Sequence, residues 1–60
     1  MNADQKRAGR INTLYKQART GKHTWSELLM MAQSTGVSKA TAKTYLDAVE
    51  AQLKKEGYLK

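Results

Sequence analysis

The sequence predicts an all-α domain of three helices, and three observations predict it. Apolar residues recur three times at helical spacing. Each series is preceded by a good capping residue, and glycines break the chain between them. There is no proline. Sixty residues make one domain, residues 1–60, and a chain this short buries only about 60% of the surface its unfolded form exposes.

The first helix, about residues 3–20, is expected to be capped by Asn2, with Gln5 three residues on completing a capping-box-like pair. Ala8, Ile11, Leu14, Tyr15 and Ala18 share one face, away from Lys6, Arg10 and Lys16. Gly21 tolerates the left-handed conformation that ends a helix. Gly9 sits inside this helix, where it costs about 1 kcal/mol relative to Ala.

The second helix, about residues 25–35, opens on a capping box, Thr24-Trp25-Ser26-Glu27. Trp25, Leu28, Leu29 and Ala32 form its expected buried stripe, with Met30 and Met31 beside it. The third, about residues 39–56, is capped by Ser38. It carries Ala42, Tyr45, Leu46, Val49 and Leu53 in an unbroken core series. Lys54 and Lys55 in its last turn complement the helix dipole, and Gly57 closes it. Leu59 is placed to fold back onto the core.

Charge narrows the function. Eleven Lys and Arg oppose five Asp and Glu, a net +6. Lys6, Arg7, Arg10, Lys16, Arg19 and Lys22 face only Asp4 in the first 22 residues. Such a small basic domain is drawn to polyanions, and nucleic acid is the first expectation. There is no Cys and one His, so disulfides and thiolate zinc sites are excluded and no cofactor or metal is expected. No Ser-His-acid set or glycine-rich phosphate loop is present, so an enzyme is not expected, nor a small-molecule ligand. No run approaches the roughly 18 apolar residues of a membrane span, and no secretory signal opens the chain. A cytoplasmic, nucleoid-associated protein is the expectation.

The junction of the second and third helices, Ala32 to Leu46, carries the sharpest motif. Ala32 is small, Gly36 can turn sharply, Val37 can plug the corner and Ser38 caps the next helix. In this order they resemble the helix-turn-helix superfamily of DNA-binding domains. K-H-T-W-S-E-L-L before the motif and L-K-K-E-G-Y-L after it are similar to a winged-helix domain. That resemblance implies a short strand at 22–24, another at 58–60 and a minimal two-stranded bridge between them. Two departures stand out: the third helix is about one turn long for the family, and the chain stops where the wing begins.

The resemblance implies that the first half of the third helix enters the major groove. Lys39 and Lys43 would reach phosphate or guanine, while Ala40 and Thr44 would touch phosphate or a thymine methyl. Ser38 and Thr41 would offer hydroxyls at a helix N-terminus. Arg7, Arg10, Lys16, Arg19 and Lys22 would add phosphate contacts, whereas the lone His23 is not counted among them. The outward face has no Arg, Asn or Gln for bidentate base reading, so holding double-stranded DNA is favoured over discriminating its sequence. The protein is therefore expected to be architectural or a small transcription regulator. A homodimer or docking module is the alternative, through a surface of Ala48, Ala51 and Tyr58. RNA is a weaker expectation, because few aromatics are placed for base stacking.

Overall fold

A computed structural model describes residues 3–59 of the chain. It contains α1 (Ala3–Arg19), α2 (Trp25–Gln33) and α3 (Lys39–Lys55). The cap expected at Asn2 lies outside the described residues. Among the described residues there is no strand: 22–24 and 58–59 are irregular, and residue 60 lies outside them. The two-stranded bridge implied by the winged-helix resemblance is thus absent from the described fold. The physical reason is that these segments satisfy their backbone groups locally. Tyr58 N–H bonds the carbonyl of Leu53 at 2.9 Å and Gly57 N–H that of Lys54 at 3.1 Å, a Schellman closure of α3. A strand partner is not needed.

The local signals at the start of α2 and α3 fold as the sequence suggests. Glu27 N–H donates to the Thr24 hydroxyl at 3.1 Å, and Thr24 N–H donates to the Glu27 carboxylate at 3.0 Å. Ser38 accepts from Thr41 N–H at 3.2 Å. Those hydrogen bonds from Thr24 hold the Glu27 carboxyl below the ordinary carboxylate value of 4.5, with His23 a smaller contributor. A lowered folded-state value means stabilisation that is complete above pH 4.5 and is lost as the pH falls through the folded-state value. Glu27→Gln keeps an acceptor without the titration. It should therefore lose less melting temperature than the parent between about pH 5 and pH 3; parallel losses would remove Glu27 from the acid response.

Helix α2 ends two residues earlier than expected. Ser34 and Thr35 donate their hydroxyls to the carbonyls of Met31 and Ala32 at 2.6 and 2.7 Å, tightening the last turn. Gly36 then reverses the chain at φ 99°, a conformation costly for any residue with a Cβ.

The core is built from Leu14, Ala32, Ala42, Tyr45, Val49 and Leu53, with Ile11, Tyr15, Val37, Leu46 and Leu59 packed around it. Leu28 is also buried. Ala32 and Ala42 have no accessible surface, which is why both must be small where the helices cross. Two core expectations are overturned: Trp25 is 42% exposed and Ala8 is exposed, while Met30, expected beside the stripe, is 67% exposed. For Trp25, in the first turn of α2, the cause is helix length. At about 1.5 Å per residue, the 9 residues of α2 cover only half the length of the 17-residue helices beside it. Ala8 instead lines the open α1–α3 groove, and Met30 is turned away from the buried Leu28 and Ala32.

Gly9 does not mark a close approach. A Cβ added there meets nothing within 4 Å. Gly9→Ala should therefore stabilise the domain by about 0.5–1 kcal/mol and raise the melting temperature by several degrees; a lower melting temperature would show an unrecognised contact at that face.

Candidate nucleic-acid interface

Helix α1 and helix α3 lie side by side and run in the same direction. Contacts at three levels, rising together along α1 and along α3 with the residues that follow it, fix that sense. Arg7 lies over the Tyr45 ring at 5.7 Å, and Arg10 Nη1 reaches the Tyr45 hydroxyl at 3.5 Å. Further along, Tyr15 donates to the Glu56 carboxylate. At the far end Arg19 donates to the Tyr58 hydroxyl and sits 4.8 Å from its ring centroid. Helix α2 returns in the opposite sense between them.

Parallel packing sorts the basic residues into two groups. Arg7 and Arg10 stand against the first half of α3, where Tyr45 lies one turn beyond Thr41. Lys39 is exposed at the start of the same helix. Lys16, Arg19 and Lys22 belong to the other end; Arg7 and Arg19 are about 18 Å apart along the axis of α1. The structure therefore brings Arg7 and Arg10 to the proposed recognition helix and leaves Lys16, Arg19 and Lys22 away from it. Lys6 was not among the expected contacts. It lines the α1–α2 groove with Arg10, Ser34 and Thr35, at the end of the bundle that holds the turn. Its i, i+4 spacing from Arg10 was the signal that could have found it.

Electrostatics at this end favour an anion. The first turn of α3 carries no acid, and its unpaired N–H groups give the positive end of the helix dipole. Lys39 occupies the first helical position, where the dipole disfavours a cation by about 0.3–1 kcal/mol. Positive potential is thus concentrated there against local stability. Ala40 and Thr44 are exposed, and Thr44 donates its hydroxyl to the Thr41 carbonyl at 2.6 Å. Ser38 donates to the Thr41 hydroxyl at 3.1 Å while capping the helix, so both hydroxyls are held in place.

Lys43 has a different setting. It lines the α2–α3 groove beside Asp47, Glu50 and Trp25, so its charge is locally offset. His23 is not presented outward. Its Nε2 faces Gln17 Oε1 at 3.1 Å and its Nδ1 faces Glu27 at 3.9 Å, tying the α1–α2 loop together. The expected self-association surface is also broken up. Ala48 is half-buried in the α1–α3 groove with Ala8, Ile11 and Val49, whereas Ala51 is exposed and Tyr58 is held by Arg19. Among the described residues no cluster of three His, Asp or Glu side chains gathers, and no helix is long and apolar enough to cross a membrane.

Comparison of the chain with protein-family models, curated proteins and solved structures found no match.

Proposed function

We propose that this protein binds double-stranded DNA, with α2, its following turn and α3 acting as a helix-turn-helix. The observation that carries this reading is the placement of Arg7 and Arg10 beside the first half of α3, against Tyr45. In the proposed complex Lys39, Ala40 and Thr44 face the major groove. Arg7, Arg10 and Lys6 meet the flanking phosphates, which position the protein without specifying sequence. The small, Arg-free outward face of α3 suits an architectural, nucleoid-associated protein better than a site-selective regulator.

A mobility shift with random-sequence duplex tests this. Arg7→Ala with Lys39→Ala should weaken binding by ten-fold or more, provided circular dichroism shows the helices intact. Lys54→Ala with Lys55→Ala, at the opposite end of the bundle, should change it little. Equal losses would move the interface off α3. Tighter binding to single-stranded RNA than to duplex would make RNA the partner, and no shift with either would favour a docking module.

A further inference from the structure

The shortness of α2 leaves an apolar groove between α2 and α3 that the DNA reading does not use. Its floor is Leu29 and Leu46, both half-buried, and Trp25 stands at its end, 42% exposed. A tryptophan 42% exposed beside two half-buried leucines makes a continuous apolar strip of the kind that interfaces cover.

The charges on its rim say what the surface accepts. Lys43, Asp47 and Glu50 line the same groove. Among the described residues neither Lys43 nor Asp47 has an ion-pair partner, although they are one turn apart; Glu50 pairs with Lys54 at 3.0 Å. Elsewhere the molecule is strongly basic, so most faces repel a second copy of themselves. This face carries both signs. A two-fold interface places each patch against itself, so it needs cation and anion in the same patch. A two-fold axis passing between Lys43 and Asp47 would set Lys43 of one copy opposite Asp47 of the other, twice, beside the apolar floor of the groove.

We propose that the α2–α3 groove is a homodimer interface, occupied by the same groove of a second copy and centred on Trp25, Leu29 and Leu46. The inference does not rest on DNA binding. The interface is small, so association falls in the micromolar range. It also covers Lys43 while leaving Arg7 and Arg10 on the other side of α3.

Sedimentation equilibrium of the full chain from about 10 µM to about 1 mM, with emission of the single tryptophan followed in parallel, tests the proposal. The parent should double in mass as concentration rises, with a blue shift of Trp25 over the same range. Trp25→Ala should remain monomeric and helical. Lys43→Glu and Asp47→Lys should each be monomeric alone, and an equimolar mixture should dimerise, because every rim pair is then of opposite sign. A parent that stays monomeric to about 1 mM overturns the proposal. So does a dimer untouched by Trp25→Ala, or a mixture of the charge variants that fails to associate.

Discussion

Leu28→Ala is expected to leave most of the population unfolded at 25 °C. Leu28 retains 2% of its accessible surface, and with Ala32 it makes up the buried part of α2. Truncating a buried leucine costs about 2–5 kcal/mol, the transfer term plus the cavity left behind. A single core in a domain of this size supplies roughly 3–5 kcal/mol of net stability. The loss is therefore comparable with the whole. Urea unfolding followed by circular dichroism measures it, and Leu28→Met, which conserves volume, should cost less than about 1.5 kcal/mol. A cooperative Leu28→Ala transition within a few degrees of the parent would show that α2 is not held by this side chain.

The second large effect is on the proposed complex with DNA. Four cations gather at the turn end of the bundle, Lys6, Arg7, Arg10 and Lys39, against the single acid Asp4 in the first turn of α1. Each phosphate neutralised releases counterions and contributes about 0.9 to the slope of log affinity against log salt. Four contacts give a slope near −3.6, or roughly a 150-fold loss between 50 and 200 mM salt. Lys39→Ala should make the slope shallower by about 0.9. Titration of a labelled duplex at several salt concentrations reads both. Affinity that hardly moves with salt would sink the phosphate-driven mechanism, and a slope unchanged in Lys39→Ala would take that residue out of the interface.

Much of this protein was legible along the chain because the signals are local. Thr24 with Glu27, and Ser38 with Thr41, satisfy helix N-termini within three residues, and the hydrogen bonds form where the residue types call for them. Gly36 and Gly57 turn the chain where only a residue without a Cβ is comfortable. The series from Ala42 to Leu53 supplies four of the buried side chains. Periodicity failed at Trp25. It sits on the correct stripe of α2, but a stripe records direction, not how far a neighbouring helix extends. The implied strands failed for a related reason. A terminal Tyr-Leu pair has strand character, yet the Schellman closure at Gly57 already supplies its hydrogen bonds.

Residue order alone therefore determined three helices, the caps of the second and third, the sharp turn at Gly36 and a strong positive charge, because each depends on groups within a few residues of one another. Which cations stand together was decided only by the tertiary structure. Arg7 and Lys39 are far apart in the chain, and the short connections between the helices set their sense but not which side chains of α1 and α3 meet. Parallel packing puts Arg7 and Arg10 beside Tyr45, sends Arg19 to Tyr58 and leaves Lys43 among acids in the α2–α3 groove. Electrostatic potential sums over distance in space, so the shape of the proposed interface follows from how the helices pack rather than from how many lysines and arginines the chain contains.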